Sequence, residues 1–408
     1  MTSLPDYDVI IVGGGMVGAC VALGMAREDI RIAIIEAVQP DSDQQPSYDD
    51  RGIALSLSSR RVLECLQVWD NLNGLVTPVA SIHVSDQDHF GSVHLSAAEL
   101  QVPALGYVVL ARELGGAVMK QINRHRNIDL ICPASVSEVD VQEDSVTVSF
   151  LQDGTENILS SRLLVAADGS TSRVRMLLGI ESHEKDYGQT AIVCNITPQL
   201  PHRQTAWERF TTHGPLALLP LNDSRCAVVH TVKQDIANHV LAMDDEEYCK
   251  RLQEQFGLRL GRLQRPGVRK SYPVRFLRTH EQVRDRVIIL GNAAHTVHPN
   301  GAQGFNLCLR DIAGLLEVLL PVIQAGGDIG ARSWLEQYRL LREPDQVRIY
   351  RFTDGLAGLF YTDRPVTTCL RNSAMWLLDG CLPLKREFMR MATGLYGAQP
   401  AMVRGSAL

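Results

Sequence analysis

The chain has 408 residues, 45% hydrophobic and 21% charged, and its 40 Lys and Arg against 46 Asp and Glu leave a net charge of −6. That length exceeds one ordinary core and points to two domains, while the acidic balance argues against nonspecific binding to nucleic acid. Nine cysteines scattered singly without a CxxC pair read as reduced thiols of a cytoplasmic protein. The N-terminus carries acid where a signal peptide needs Lys or Arg, and no stretch approaches the roughly 20 apolar residues of a membrane span.

The first element is a short apolar strand over 9–12, followed by glycines at Gly13, Gly15 and Gly18 in the GxGxxG pattern. An Ala-rich helix runs to about position 27, and "RIAIIE" gives a second strand ending in Glu36. This is a complete dinucleotide site in outline. Gly13 allows the tight turn, Gly15 lets backbone approach a pyrophosphate, and Gly18 brings helix and strand together. The helix N-terminus offers free N–H groups to phosphate, and Glu36 can accept from ribose hydroxyls, which suits NAD or FAD better than NADP. The turn alone does not choose between those two.

Further along, "SIHVSD" and "GSVHL" predict a hairpin around Asp88 and Gly91. "SRLLVAADGSTSRVRMLLG" predicts a buried strand ending in Asp168-Gly169, with Ser172 capping a short helix that carries Arg175. As pure structure it is an Asp-Gly turn with a solvated arginine. "TAIVCNIT", "AWERF", "LALLPL" and "CAVVHTV" read as strands of a second sheet. His83, His94, His213 and His230 read as strand or turn residues rather than bases.

At 289–311, "ILGNAAHTVHPNGAQGFNLCLRD" runs from a strand into an amphipathic helix, a second helix N-terminus placed to meet an anion or an electronegative ring edge. His295 and His298 form a poor metal pair without a third ligand nearby, so no metal is expected. The tail from 345 mixes apolar clusters with basic residues. It reads as amphipathic helices packing on the dinucleotide domain, or, through "KREFMR", as a surface touching membrane.

These three motifs, in this order over most of the chain, resemble the flavin-dependent aromatic hydroxylases, the single-component FAD monooxygenases typified by para-hydroxybenzoate hydroxylase. The resemblance implies that Gly13, Gly15, Gly18 and Glu36 hold the ADP half of FAD. It puts Asp168 near the pyrophosphate and in the use of NAD(P)H. Gly291, Asn292, Pro299, Gly301, Gln303, Gly304, Phe305 and Asn306 would hold ribitol and pyrophosphate and line the flavin ring. Asn292 stands where the family usually has Asp. "DDRGIALSLSSRRVLECLQVW", "GYVVLARELGGAV" and "ERFTTHGPLALLPLNDSRCAVVHTV" further resemble the ubiquinone-biosynthesis branch, which implies that Arg51 and Arg112 contact FAD. Solvated arginines are the alternative for both. No catalytic side chain is assigned, and Pro220 is a substrate-ring contact by analogy alone.

The expected fold is α/β, with a Rossmann-like FAD-binding domain built from 1–75, 98–182 and 275–345. An interleaved antiparallel-sheet substrate domain (76–97 and 183–274) and a C-terminal helical segment (346–408) complete it. The implied reaction is hydroxylation of a polyprenylated phenol, of the 2-octaprenyl-6-methoxyphenol type, with O2 and NAD(P)H. A single Rossmann fingerprint and no redox Cys pair disfavour a disulfide reductase. Hydroxylation at another ring position, a flavin-dependent prenyl reductase and a non-catalytic flavoprotein subunit stay open. So do contacts with other proteins of the pathway, an oligomer, and peripheral contact with the inner face of the cytoplasmic membrane.

Overall fold

The computed structural model describes residues 5–26, 28, 30–39, 49–361 and 365–406. In the strand Tyr7–Val12 alternate side chains enter two different cores. Val9 and Ile11 pack with the helices on one face, and Ile10 and Val12 with the apolar layer on the other. A strand apolar on both faces belongs inside a parallel sheet, and Tyr7–Val12 lies at the centre of one. Its neighbours are Ile32–Ile35 and then Ile128–Ile131 on one side, and Thr155–Ala166 and then Val287–Ile289 on the other, all parallel. The helices Met16–Met25 and Gln303–Gln324 cover the first face. Their approach is close enough that a Cβ at Gly24 would meet Leu316 Cδ1 at 2.2 Å.

The second sheet is almost wholly antiparallel. In spatial order it contains His295–Thr296, Lys270–Thr279, Ser182–Pro198, Cys226–Lys233, Gly214–Pro220, Thr205–Thr211, Ser81–Asp86 and Ser92–Ser96. The expected hairpin joins it through Ser81–Asp86, which pairs in parallel with Thr205–Thr211. Helices Gln234–Ala242 and Asp245–Phe256 bury one face of this sheet around Ile192, Leu216, Val228 and Tyr248. A small sheet of Gly52–Ser56, Gly106–Leu110 and Thr77–Val79 lies between the two large ones in the chain path. The α/β architecture with an interleaved antiparallel sheet is therefore present. The strand Lys270–Thr279 stays in the antiparallel sheet past position 275, and the helix Arg332–Phe360 runs unbroken through 346.

The C-terminal helices depart from expectation. Pro365–Gly380 packs on the outer strand Ser92–Ser96 of the antiparallel sheet rather than on the dinucleotide domain. Asn372 Oδ1 accepts from Gly91 N at 2.7 Å and Asp379 Oδ1 from His94 N at 2.9 Å, so the helix satisfies donors on the hairpin. The chain then returns to the dinucleotide domain: Ala392 O accepts from Gln303 Nε2 at 3.3 Å, Thr393 O accepts from Ser58 N at 3.2 Å, and Ala401–Arg404 packs against Leu57–Cys65 and Gln303–Gln324. Within "KREFMR", Lys385 and Met389 are buried and Phe388 packs inward, so these residues do not form the exposed surface expected of them. Among the described residues no helix is long and apolar enough to cross a membrane.

Candidate functional site

The chain leaves Tyr7–Val12 toward one side of the parallel sheet and later returns on the other, so the strand order reverses beside this strand. Ligands of open α/β sheets bind at such a reversal, outside the carboxyl ends of the strands. The three motifs stand there, at the ends of Tyr7–Val12, Thr155–Ala166 and Val287–Ile289, whose last residues Val12, Ala166 and Ile289 are in register.

At the first turn Gly13 has φ +103°, and a Cβ there would come within 2.5 Å of Ala167 O. A Cβ at Gly18 would lie 1.9 Å from Gly13 O. Both positions require glycine, the first for conformation and the second for contact. Gly15 precedes the helix Met16–Met25, and no side chain caps that end, which leaves its N–H groups for a ligand. Glu36 is buried and accepts from Gly14 N at 2.5 Å and Val38 N at 2.8 Å, so its carboxylate braces the turn. A carboxylate has further lone pairs for a ribose hydroxyl.

At the second motif, Asp168 Oδ2 accepts from Val174 N at 3.1 Å, while Asp168 Oδ1 is buried with no partner among the described residues. Ser172 Oγ caps Arg173–Leu177 by accepting from Arg175 N at 3.0 Å. Arg175 is not solvated. It is buried and donates to Ala293 O at 2.8 Å and Ser170 O at 2.9 Å, tying the second motif to the third.

In the third motif Gly291 has φ +63°, and a Cβ there would press on Val17 Cγ1 at 3.0 Å, joining this loop to the first helix. Asn292 and Pro299 are exposed. Gly301 (φ +64°) and Ala302 (φ +52°) make a left-handed turn that opens the helix Gln303–Gln324. Asn306 accepts from Ser56 N at 2.8 Å and Ser59 Oγ at 2.6 Å, and donates to Ala54 O at 2.9 Å and Ala302 O at 2.6 Å. Its amide is thus spent on clamping the strand Gly52–Ser56 to the helix start. Gly304 and Phe305 lie in the first helical turn, with Phe305 packed on the helical core. Gln303 donates to Gly301 O at 3.0 Å, and its Oε1 has no partner among the described residues.

Arg51 and Arg112 come together because Gly52 pairs with Leu110. Asp49 joins them, its Oδ2 to Arg51 Nε at 2.8 Å and its carbonyl to Arg112 N at 3.0 Å. Arg112 also pairs with Asp50, and Arg51 stacks on Tyr272 at 4.6 Å. His295 Nε2 bonds Asp311 at 2.7 Å. His298 sits against Gln189 Oε1 at 3.2 Å, and burial pushes its imidazole down to about 4, so it is neutral at physiological pH.

A cavity of about 310 Å³ meets the third motif at Gly301, Ala302, Gln303 and Asn306 and runs out between the antiparallel sheet and the C-terminal helices. Its wall is largely apolar, with Val84, Leu95, Phe210, Leu356 and Met375 among the contributors. Leu219 lines it; Pro220, one residue on, ends its strand and is not part of the wall. The sequence reading missed Glu208, which lines the cavity, and Asn300, whose buried amide has no partner among the described residues. Glu208 was findable, because it interrupts the alternation Ala206, Glu208, Phe210 on the inward face of a strand.

A family model described as an FAD binding domain matches residues 6–353. The chain belongs to this FAD-binding family. The match fits the glycine turns, the uncapped helix and the unpartnered Asp168 oxygen, and FAD is the cofactor. Across 404 residues the chain is 35% identical to a ubiquinone hydroxylase of Rhodospirillum rubrum, covering 98% of this chain and 93% of the relative. It is 29% identical to the 3-demethoxyubiquinol 3-hydroxylase of Escherichia coli, covering 97% and 100%. This FAD-binding chain therefore stands in the ubiquinone-biosynthesis branch of the flavin hydroxylases. Its fold is similar to that of p-nitrophenol 4-monooxygenase from Pseudomonas putida, with a TM-score of 0.81, 19% identity, and 98% and 100% of the two chains covered.

Proposed function

We propose that the chain is an FAD- and NAD(P)H-dependent monooxygenase that hydroxylates a polyprenylated phenol, of the 2-octaprenyl-6-methoxyphenol type, in ubiquinone biosynthesis. The observation that carries this reading is the apolar cavity ending on Gly301–Asn306, where a cofactor crevice and a space for an apolar ring share one wall. Bound FAD supplies the two-electron chemistry, drawing electrons from NAD(P)H and passing them to O2.

The chain's own residues bind, orient and exclude water. Gly13, Gly15 and Gly18 let the backbone and the first helix receive the pyrophosphate, and Glu36 takes the adenosine ribose. Asp168 offers the Oδ1 that has no partner among the described residues, and Arg51 and Arg112 bring positive charge to the same cofactor. Gly291, Asn292, Pro299, Gly301, Gln303, Gly304 and Phe305 form the wall against the ribitol and ring, with Asn306 holding that wall in position. The apolar lining keeps water from the reacting centre, where it would divert oxygen to peroxide.

A cavity of about 310 Å³ is at the small end of ligand sites. It suits a substituted ring and the start of its tail, and Ala374 and Leu378 of its wall are the proposed exit for the rest of the tail. That exit lies on the helix that exposes Val366, Leu370, Trp376 and Leu377, which supports a peripheral contact with membrane through this helix.

The test is the purified protein's visible spectrum followed by product analysis. Flavin bands, one O2 consumed per substrate and a ring-hydroxylated product are expected, and the product fixes the ring position. Substrate turnover without O2 would point to a prenyl reductase. Restored quinone synthesis by a flavin-free Gly15→Glu variant would sink the catalytic reading.

A further inference from the structure

Among the residues lining the cavity, few polar groups could accept a proton. Ser56 Oγ is bonded to Ser58 and Ser59, the Tyr107 hydroxyl is paired with Arg60, and Asn306 is saturated. Arg371 is a cation held by Asp86 at 2.6 Å. Gln303 Oε1 can accept a hydrogen bond but not a proton at neutral pH. Glu208 remains. Its strand, Thr205–Thr211, turns Ala206 and Phe210 to the buried side with it, and the nearby Gly301 N–H favours the charged form of its carboxyl. No Lys or Arg pairs with it among the described residues. A carboxyl group in an apolar wall without a cation costs stability, and such a cost concentrates at functional positions.

We propose that Glu208 is a catalytic residue, the proton acceptor for the substrate's phenol hydroxyl during hydroxylation. The phenol O–H bond breaks, its proton goes to a carboxylate oxygen of Glu208, and the electron pair stays on the phenol oxygen. That oxygen then enriches the ring carbons ortho and para to it, which are the positions attacked by an electrophilic oxygen. When the ring regains aromaticity, the proton of the attacked carbon passes to water and Glu208 returns its own proton to the phenol oxygen, so one proton is released to solvent for each oxygen transferred. No net redox change falls on the side chain.

The apolar surroundings also set the acidity of this group. Burial raises the Glu208 carboxyl to about 7, while the Gly301 N–H opposes a further rise. A general base is most effective with its pKa near the working pH. The other groups facing it are Tyr361, whose phenol is raised by burial first and by Glu208 as well, and Arg371 across the cavity. The inference rests on the hydroxylase reading above.

The experiment compares wild-type holoenzyme with Glu208→Gln and Glu208→Asp, using a 2-methoxyphenol carrying one prenyl unit as the probe. Glu208→Gln is expected to keep full FAD content and to bind the probe, but to lose at least roughly 100-fold in hydroxylation rate. The wild-type rate should rise with pH through about 7, a step that Glu208→Gln lacks and Glu208→Asp partly restores. A Glu208→Gln holoenzyme with wild-type rate and pH profile would overturn the assignment. Loss of FAD in both variants would overturn it in favour of a structural role. Absence of hydroxylation by the wild-type holoenzyme would instead overturn the functional reading, and the assignment with it.

Discussion

A methyl group added at Gly18 would lie 1.9 Å from Gly13 O, backbone against side chain with nothing flexible to move. Gly18→Ala is therefore expected to push the first turn off its strand and abolish FAD loading, read as the flavin-to-protein absorbance ratio. Asn292 differs, since it is exposed and its side chain makes no hydrogen bond among the described residues. Asn292→Asp should keep FAD with a modest change in affinity, from one added negative charge at the proposed pyrophosphate site, measured by titrating apoprotein. Gly301→Val places a β-branched residue at φ +64°, where such residues are true outliers, and should lose FAD. Glu208 carries a stability prediction of its own. Its carboxyl is raised by burial to about 7, against about 4.3 in an unfolded chain. Between those values the folded state holds the additional proton, so the contribution of Glu208 to stability falls as pH rises from about 4 to 7 and stays low above. Glu208→Gln should accordingly be more stable than wild type at pH 8, by on the order of 2–3 kcal/mol, and equal to it near pH 4. Denaturant unfolding at the two pH values decides this, and an unchanged difference between them would sink it.

Charges buried inside the helix Gln303–Gln324 organise the element scale. Arg310 and Asp311 are fully buried, yet neither is stranded. Asp311 accepts from Arg342 at 2.8 Å and pairs with His295 at 2.7 Å, and Asp345 takes Arg310 at 2.8 Å and Arg342 at 2.6 Å. Burial alone would raise the Asp345 carboxyl, but Arg310 and Arg342 hold it well below the usual carboxylate range. The network fastens the helix Arg332–Phe360 to the helix Gln303–Gln324, whose first turn lines the cavity. Removing one partner of such a set leaves uncompensated buried charge, so Arg342→Met should lose about 3–5 kcal/mol of unfolding free energy. The control is Arg339→Met, on the outer side of the same helix and paired with Glu336 and Glu343, expected to change by less than about 1 kcal/mol. Equal effects from the two would refute the role given to the network. The sequence shows this helix as amphipathic, because apolar spacing is local. It cannot show why Arg310 and Asp311 lie inside, because their partners are 35 and 31 residues away. Arg175 has the same history. Read alone it is a solvated residue after an Asp-Gly turn, and only the sheet register brings Ala293 O within its reach.

At the scale of the whole molecule, legibility follows from how far each feature reaches along the chain. The glycine turns and strand ends are written in a few consecutive residues each, and the parallel sheet sets them side by side. The cavity is written nowhere locally. It takes walls from Gly52–Ser56, from the hairpin, from Thr205–Thr211 and from the C-terminal helices, and its closure depends on where those helices dock. Asp86 draws Arg371 and Asn372 onto the hairpin at 2.6 Å and 2.9 Å, which turns the opposite side of Pro365–Gly380 outward. Val366, Leu370, Trp376 and Leu377 are 59–72% exposed there, next to Ala374 and Leu378 at the cavity wall. An exposed apolar patch on the helix that also walls the cavity fits the proposed contact with a bilayer. Replacing Leu370, Trp376 and Leu377 with Ser removes apolar area without touching the cavity lining. Binding to anionic phospholipid vesicles should fall by roughly ten-fold or more, since about 1.4 kcal/mol suffices for that factor and each buried apolar side chain contributes more. The hydroxylation rate for a water-soluble phenol with one prenyl unit should stay within about two-fold, because none of the three residues lines the cavity. Two results would sink the membrane contact: equal vesicle binding by the triple variant and wild type, or a wild-type dimer that the triple variant converts to monomer, which would assign the patch to a second copy of the chain.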